Sequence, residues 1–163
     1  MTAQLTFRPA VEYEPGAVYA VLARCYADIL DVELRDNIEH FDREIFASPD
    51  TVGACAFISC ANEQSVGFFS YDPRRGPKIG IIGHNGILPP FQRRGYGTEQ
   101  IRETLRLFTV HGFARARVTT SEHPFFAPAR RMYEKCGFHP CGTTPDDRWG
   151  PYAIVHYEKP LVA

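Results

Sequence analysis

The sequence predicts one mixed α/β domain spanning residues 1–163, with a central sheet and the element order β-α-α-β-β-β-α-β-α-β-β. The length of 163 residues suits a single domain. The composition, 44% hydrophobic and 23% charged, is typical of a globular chain that buries a core. Strand-like alternation and helical periodicity follow one another along the chain, without repeats or a linker.

The N-terminal third is predicted to form one strand and two helices. Leu5 to Arg8 alternates apolar and polar residues, as a short strand does. Pro15, which follows Glu14, is suited to the first position of a helix. The apolar stripe expected on this helix consists of Val18, Leu22, Cys25 and Ile29. The same periodicity predicts a second helix over Asp36 to Ala47.

The middle of the chain is predicted to form three strands, over Val52 to Cys60, Val66 to Tyr71 and Lys78 to Leu88. The first is apolar at almost every position, as expected of a strand buried on both faces. The third contains Gly80, Gly83 and Gly86. Glycines inside a strand often mark a bulge or a place where something approaches the backbone closely.

The C-terminal half is predicted to alternate helices and strands. Gly95 to His111 has the clearest helical periodicity, and Gly112 is placed as its C-terminal cap. A strand is predicted over Ala114 to Thr120 and a helix from Pro128 to Cys136. The last two predicted strands are His139 to Thr143 and Tyr152 to Lys159.

Charge and cysteine content disfavour several classes of protein. A net charge of −1 favours neither nucleic acid nor an anionic membrane as a partner. Five cysteines cannot all pair within one chain, and the N-terminus has no basic and apolar leader, so we expect a reduced, cytoplasmic protein. The longest apolar stretch, Val52 to Ala61, is shorter than the ~20 residues of a membrane helix.

The segment from Cys136 to Cys141 brings two thiols close to the imidazole of His139. A metal site is one interpretation of this segment. Three candidate ligands on one tight stretch, with no second cluster, do not match common zinc spacings. Buried free cysteines are therefore expected here, and no metal is predicted.

The first functional signal is the segment Gln92-Arg93-Arg94-Gly95-Tyr96-Gly97, between a predicted strand and the long helix. A glycine turn at a helix N-terminus exposes unpaired amides at the positive end of the helix dipole, which favours an anion. The alternative is a tight turn with surface arginines. A dinucleotide fingerprint would need glycine where Gln100 stands, and no G-K-S or G-K-T follows for a P-loop.

The second signal is the segment from Ala129 to Phe138, in which Tyr133 lies one turn before the end of a predicted helix. Alone, this predicts a core aromatic residue. Together the two segments resemble the GNAT superfamily of acetyl-CoA-dependent N-acetyltransferases. Gln92 to Gly97 matches its Q/R-x-x-G-x-G/A pyrophosphate loop, and Ala129 to Phe138 matches its A-x-x-h-Y-E-K-x-G-F helix. The predicted element order matches as well.

The resemblance implies a GNAT-like fold with acetyl-CoA as co-substrate. The backbone of Ile87 and Leu88 would pair with the pantetheine arm as an extra strand would. The residues that would wrap the pyrophosphate are Gln92, Arg93, Arg94, Gly95, Tyr96, Gly97 and Thr98. Tyr133 matches the tyrosine that often protonates the departing thiolate, a task that suits a phenol of pKa ~10.

Two positions depart from the family pattern. Phe126 stands where many members have asparagine, so Ser121 is the alternative polar contact to the coenzyme. Ile81 stands where some members have a glutamate. His84 is then the candidate base, acting on the amine directly or through water, and a structural histidine is the other interpretation. His123 is a further candidate, with a place in the turn before Pro124 as its alternative.

The implied reaction is transfer of an acetyl group to a primary amine by direct attack in a ternary complex. The expected acceptor is a small-molecule amine or an amine of a peptide or protein, and a homodimer is left open. Candidate residues around the acceptor are Tyr26, Asp31, Glu33, Asp146, Asp147 and Trp149. The alternative for the segment from Thr144 to Arg148 is an ordinary solvated loop. The rival functions are a catalytically silent acyl-CoA-binding regulatory module and a phosphate- or nucleotide-binding domain with another chemistry.

Overall fold

The computed structural model describes residues 4–161, and the predicted order of strands and helices is confirmed. The strands are β1 (Leu5–Pro9), β2 (Ala56–Ala61), β3 (Gln64–Asp72), β4 (Ile79–Ile87), β5 (Arg115–Ser121), β6 (His139–Thr144) and β7 (Ile154–Pro160). The helices are α1 (Ala17–Cys25), α2 (Val32–Ala47), α3 (Tyr96–Val110) and α4 (Ala127–Lys135).

The strands form a mixed sheet in the order β1-β2-β3-β4-β5-β7-β6. The start of β4 pairs in parallel with β5, from Ile79 opposite Arg115 to Ile81 opposite Arg117. Antiparallel pairing joins β1 to β2, β2 to β3, β5 to β7 and β6 to β7. The sheet is therefore mixed, and the predicted mixed α/β fold class is confirmed.

The chain forms two compact units. The first unit takes the chain up to Tyr71 together with Gly83–Gln100. The second unit takes Asp72–Ile82 and the chain from Ile101 onward. The expectation of one domain over the whole chain stays a prediction.

The core of the first unit is built by the apolar faces of α1 and α2 and by the sheet residues they cover. Its fully or nearly fully buried residues include Val18, Leu22, Ile38, Ile45, Ile58 and Phe68. Burial of each such side chain stabilises the fold by about 1.5–3 kcal/mol. The predicted stripe of Val18, Leu22 and Cys25 is therefore confirmed.

A buried carboxylate holds the start of α1. Gly16 precedes the helix in a left-handed conformation, with φ of 99°, and has no side chain to cap it. Asp42 of α2 supplies the cap instead, because its two carboxylate oxygens accept from the N–H groups of Gly16 and Tyr19, each at 2.9 Å. Asp42 is only 5% exposed, so this acid belongs to the interior.

The core of the second unit is rich in aromatic rings. Phe108 of α3 and Phe113 lie with ring centroids 5.2 Å apart. A Cβ atom at Gly80 would lie 2.8 Å from the Phe108 ring, which explains why β4 has a glycine there. Gly112 has φ of 78°, and Phe113 N–H donates to Phe108 C=O at 2.9 Å, so the predicted C-terminal cap of α3 is confirmed.

Several predicted boundaries in the first unit are wrong. Helix α2 begins at Val32 rather than Asp36, because Asp31 Oδ1 accepts from Leu34 N–H at 2.8 Å and caps the helix earlier. Pro15 lies before Gly16 and outside α1. Helix α1 ends at Cys25, and Ile29 belongs to a separate 3₁₀ turn over Ala27–Ile29.

The strand predicted from Val52 begins only at Ala56, and Tyr152 lies before β7 rather than in it. A 3₁₀ turn takes up Gly53–Cys55. At Gly53 a Cβ atom would lie 2.6 Å from Ile45 C=O and from the Val11 side chain. The backbone of this turn therefore passes close to α2, at a place that favours glycine.

All five cysteines are free thiols, but not all of them are buried. Cys25, Cys55 and Cys60 are buried, whereas Cys136 is half-buried and Cys141 is exposed. The expectation of burial is wrong for Cys141 because every residue of β6, an outer strand of the sheet, is exposed. Within residues 4–161, no helix has the length and apolar character needed to cross a bilayer.

Candidate active site

The glycine turn leads directly from β4 into α3. A 3₁₀ turn over Pro89–Phe91 is followed by four exposed residues, and α3 begins at Tyr96. Gly95 has φ of 84°, a conformation that favours glycine, and no atom lies within 4 Å of the place where its Cβ would be. The turn therefore presents its backbone to open space.

The N-terminus of α3 has the features of an anion site. Its first N–H groups lack acceptors within the helix, since Glu99 N–H to Gly95 C=O at 3.1 Å is the first helical bond here. The Tyr96 ring is only 3% exposed and packs in an apolar cluster that includes Val66 and Ile87, so it anchors the turn. The backbone of the turn is thus the part best placed to meet an anion.

The three polar side chains of the turn act differently from one another. Gln92 Nε2 donates to Ile87 C=O at 3.0 Å and fastens the turn to the end of β4. The Arg94 guanidinium lies over the Phe91 ring, 5.4 Å from its centroid. Arg93 is exposed and has φ of 64°. The turn therefore has a left-handed residue that is not glycine, in addition to Gly95.

The backbone predicted to pair with pantetheine is already bonded within the chain. Leu88 N–H donates to Val66 C=O at 2.8 Å, and Leu88 C=O accepts from Phe91 N–H at 2.9 Å. Ile87 C=O accepts from Gln92. Each carbonyl oxygen has a second lone pair that a bound arm could use. Pairing of pantetheine with these two residues stays a prediction.

Gln100 is a buried polar residue that sequence reasoning used only to exclude a dinucleotide fingerprint. Its side chain is 0% exposed, and Nε2 donates to Ser59 Oγ of β2 at 2.8 Å and to Gly86 C=O of β4 at 3.3 Å. A Cβ atom at Gly67 would lie 2.9 Å from Nε2 and 2.5 Å from Gly86 C=O. Because Gly67 has no side chain, the Gln100 amide has space to bond to β2 and β4. These bonds join the first turns of α3 to the sheet.

His84 lies in a small polar cluster between β4 and the two N-terminal helices. Its Nδ1 is 3.0 Å from the Tyr26 hydroxyl, and its Nε2 is 3.3 Å from Asn37 Oδ1. Phe41 lies against the ring at 5.2 Å between centroids, and the His84 carbonyl accepts from Ser70 Oγ at 3.0 Å. Burial lowers the pKa of His84 from its ordinary value, so the neutral imidazole is favoured.

Cys25 lies next to Gly86, the last glycine of β4. A Cβ atom at Gly86 would lie 3.0 Å from both Cβ and Sγ of Cys25, so the strand backbone passes close to this side chain. Burial raises the pKa of the Cys25 thiol to about 12. The thiolate that a nucleophilic cysteine requires is therefore scarce at neutral pH.

The second unit contains Tyr133, which is 4% exposed. Its ring lies 6.0 Å from the ring of Phe138 and 6.0 Å from that of Tyr157, between centroids. The Tyr157 hydroxyl donates to Glu134 Oε1 at 3.3 Å. The ring of Tyr133 is thus a core aromatic, as one interpretation of the sequence has it, and an acid role for its hydroxyl stays a prediction.

The residues around Phe126 lie between the end of β5 and the start of α4. Ser121 is buried, and its Oγ accepts from His123 N–H at 3.0 Å. His123 Nδ1 accepts from Phe125 N–H at 3.1 Å, which occupies the lone pair a base would use. The Phe126 ring lies 6.2 Å from that of Trp149. Ser121 and His123 are therefore engaged in the turn before α4.

The residues predicted to surround the acceptor make separate contacts. Asp31 caps α2, and Asp146 Oδ1 accepts from Arg148 N–H at 2.9 Å. The Arg148 guanidinium lies 4.6 Å from the centroid of the Trp149 ring, so a cation of the chain already covers that ring. Glu33 and Asp147 are exposed, and Tyr26 is the member that contacts another candidate, His84.

Known proteins share this fold. The structure of a protein described as a GNAT-family acetyltransferase from Desulfovibrio desulfuricans is 18% identical over 98% of this chain and 100% of its own, with a TM-score of 0.80. The ribosomal-protein-S18-alanine N-acetyltransferase of Escherichia coli is 14% identical over 98% of this chain and 96% of its own, with a TM-score of 0.75.

An aminoglycoside 6′-N-acetyltransferase, solved with coenzyme A, is 13% identical over 98% of each chain, with a TM-score of 0.73. No curated protein matches this chain in sequence. The model of the acetyltransferase (GNAT) family matches residues 17–138, which include the glycine turn and the Tyr133 helix. The chain belongs to the GNAT acetyltransferase family, and the predicted fold is the fold of that family.

Proposed function

We propose that this chain is an N-acetyltransferase that moves an acetyl group from acetyl-CoA to a primary amine. The observation that carries the proposal is the exposed glycine turn at the N-terminus of α3, with Gly95 facing open space. The pyrophosphate of acetyl-CoA is the anion that a member of this family would present to such a turn.

The acceptor is an amine of a small molecule, a peptide or a protein. Support for this range comes from the related folds, one named for an aminoglycoside and another for the alanine of a ribosomal protein. The coenzyme site proposed in this chain consists of Ile87, Leu88, Gln92, Arg93, Arg94, Gly95, Tyr96, Gly97 and Thr98.

The amine attacks the thioester directly in a ternary complex. An acetyl-cysteine intermediate would need a thiolate, and the raised pKa of Cys25 disfavours one at that residue. The amine nitrogen bonds to the carbonyl carbon, and the carbon–sulfur bond breaks. Tyr133 then protonates the coenzyme A thiolate, as the family resemblance implies.

The amine must lose a proton before it can attack. A lysine-like amine of pKa ~10.4 costs about 4.6 kcal/mol to neutralise at pH 7, whereas an α-amine costs about 1 kcal/mol. His84 is the proposed acceptor of this proton. Its lowered pKa leaves the imidazole neutral and able to accept.

Binding is tested by thermal unfolding with acetyl-CoA, ATP and NAD in parallel. A hundredfold excess of acetyl-CoA over its dissociation constant should stabilise the protein by about 2.7 kcal/mol. Release of free thiol is then measured with an aminoglycoside, a polyamine and a peptide with N-terminal alanine. Binding without thiol release would instead support the silent acyl-CoA-binding module, and no shift with acetyl-CoA would contradict both.

The role of the turn is tested with a matched pair of glycines that flank α3. Gly95 and Gly112 have φ of 84° and 78°, and neither has an atom within 4 Å of its Cβ position. Alanine at either residue therefore incurs a similar backbone strain. Only Gly95→Ala should weaken acetyl-CoA binding, by at least about tenfold. Equal affinity in the two variants would contradict a pyrophosphate site at the turn.

A further inference from the structure

We propose that the Tyr26 hydroxyl takes the proton from the acceptor amine while it passes its own proton to Nδ1 of His84, with Asn37 holding the imidazole in place. The proposal rests on the proposed acetyl transfer and assigns the base of that reaction. Tyr26 is then the catalytic residue, and His84 acts through it.

The hydrogen bonds of the cluster determine which atom carries which proton. Asn37 Oδ1 can only accept, so Nε2 of His84 carries the hydrogen across the 3.3 Å contact. Nδ1 of the neutral ring then holds a lone pair, and the Tyr26 hydroxyl donates to it at 3.0 Å. In the proposed relay a proton from the substrate enters through the Tyr26 oxygen, which accepts it as its own proton moves to Nδ1.

Direct action of His84 on an amine is blocked by the same geometry. Tyr26 occupies Nδ1 and Asn37 occupies Nε2, so neither ring nitrogen offers a lone pair to a substrate. Phe41 lies against the ring at 5.2 Å between centroids. A proton can therefore reach the imidazole only through a group that is already bonded to it, and Tyr26 is the one that donates.

The position of the cluster suits a substrate. Tyr26 is half-buried at the end of α1, and the neighbouring Ala27, Asp28 and Asn37 are exposed. His84 stands three residues before Ile87 on β4, which is about 10 Å of extended strand. The cluster thus belongs to the strand that runs into the proposed coenzyme turn.

The proton balance is complete without another reactant. The ammonium form of the acceptor loses one proton to the Tyr26 oxygen as the Tyr26 proton moves to His84, which leaves a neutral amine and an imidazolium. The imidazolium donates from Nδ1 to Tyr26 and from Nε2 to Asn37, so both N–H groups remain bonded. As the amide forms, the nitrogen loses a second proton, which passes through water to Tyr133 and replaces the one that Tyr133 gives to the thiolate. The first proton returns to water from His84 by the reverse route.

The surroundings of His84 set the kind of amine that this relay can serve. The groups packed on it are Tyr26 from the C-terminal cap of α1, Asn37 and Phe41 from α2, and Ser70 from β3, and none of these carries a charge. Burial alone lowers its pKa. A lysine-like amine lies at least about four pKa units above such an imidazole, and an α-amine at least about one. The acceptor class favoured is therefore an α-amine or another weakly basic amine.

The test compares kcat as a function of pH in Tyr26→Phe, His84→Gln and the double variant, with the panel amine of highest wild-type kcat/KM. Tyr13→Phe is the control, because it also removes a half-buried hydroxyl from the first unit, one that contacts Cys60 Sγ at 3.4 Å. We expect each single variant to lose about 10²-fold in kcat and the rising acidic limb of its pH profile. Acetyl-CoA affinity should not change.

The double variant separates a relay from two independent contributions. If Tyr26 and His84 act as one unit, it is no slower than either single variant. The proposal is overturned if the loss of kcat in the double variant is the product of the two single losses. It is also overturned if Tyr26→Phe keeps the wild-type pH profile, and in both cases acetyl transfer itself stands. If the wild-type protein binds no acetyl-CoA, or releases no thiol with any amine of the panel, the proposed function is contradicted rather than the relay.

Discussion

Two sets of polar contacts, one in each unit of the chain, differ in their burial. In the first unit, Asp42 and Gln100 are at most 5% exposed and each bonds to a different element, α1 for Asp42 and the sheet for Gln100. In the second unit, Glu158 pairs with Arg115 and Arg117 on the sheet, where the Arg115 side chain is 55% exposed. The contacts of Asp42 and Gln100 are thus buried, and those around Glu158 are partly open to water.

Buried and exposed polar contacts differ in how strongly they hold the backbone in place. A buried hydrogen bond cannot be exchanged for a bond to water, so losing one partner costs about 1–3 kcal/mol. A surface ion pair contributes about 0–1 kcal/mol. Asp42 and Gln100 therefore fix helices and strands within the unit that carries the glycine turn and the His84 cluster.

The largest expected effect of breaking this arrangement is that of Asp42→Ala. It leaves the N–H groups of Gly16 and Tyr19 without their acceptor and removes an anion from the N-terminus of α1. We expect the free energy of unfolding to fall by about 3 kcal/mol in urea titrations. Asp36→Ala, at an exposed position of the same helix, should lose less than about 0.5 kcal/mol. Similar losses would remove the distinction between buried and exposed acids.

Tyr133→Phe tests whether the aromatic core of the second unit also serves chemistry. The ring contacts with Phe138 and Tyr157 remain, so the free energy of unfolding should change little. If the hydroxyl protonates the thiolate, kcat falls by about 10²-fold while acetyl-CoA affinity is kept. Tyr157→Phe, which loses a hydroxyl from the same group of rings, is the control for kcat. Wild-type kcat in Tyr133→Phe would leave this residue with packing alone.

Gln100→Met keeps the length of a buried side chain but removes the amide that joins α3 to β2 and β4. Ser59 Oγ and Gly86 C=O lose their shared donor, for an expected cost of about 2 kcal/mol in the free energy of unfolding. Gly86 directly precedes Ile87 and Leu88, whose backbone is proposed to pair with pantetheine. Acetyl-CoA should therefore also bind more weakly. Gln64→Met, at an exposed end of β3, is the control, and equal stability of the two variants would contradict this role.

The parts of the fold that the sequence predicts well are those determined by neighbouring residues. Helix α3 and its Gly112 cap follow from periodicity and from one positive φ, and both depend on residues within a few turns. The glycine turn is predicted for the same reason. The early start of α2 was also open to prediction, because aspartate is a strong N-cap residue. Val32, which is 68% exposed, hid this start by interrupting the apolar pattern.

The contacts that were missed join residues far apart in the chain. Asp42 caps a helix 26 residues earlier, Gln100 bonds to a serine 41 residues away, and Tyr26 and His84 are 58 residues apart. A reading of hydrophobic patterns assigns such polar residues to the surface, since burial of a polar group is unfavourable without its partner. Only the fold supplies that partner, so no local pattern could have revealed the proton relay.

The smallest expected effect is a dependence of stability on pH that comes from His84. Burial lowers its folded pKa below the ordinary value of about 6.5, so the unfolded chain binds the proton more readily. The free energy of unfolding should therefore be highest above about pH 6.5 and fall as the pH drops toward the folded pKa. His84→Gln should show a shallower fall in urea titrations from about pH 7.5 to pH 5. His111→Gln, at an exposed position, controls for the loss of a histidine, and equal slopes in the two variants would mean that His84 is not held neutral by burial.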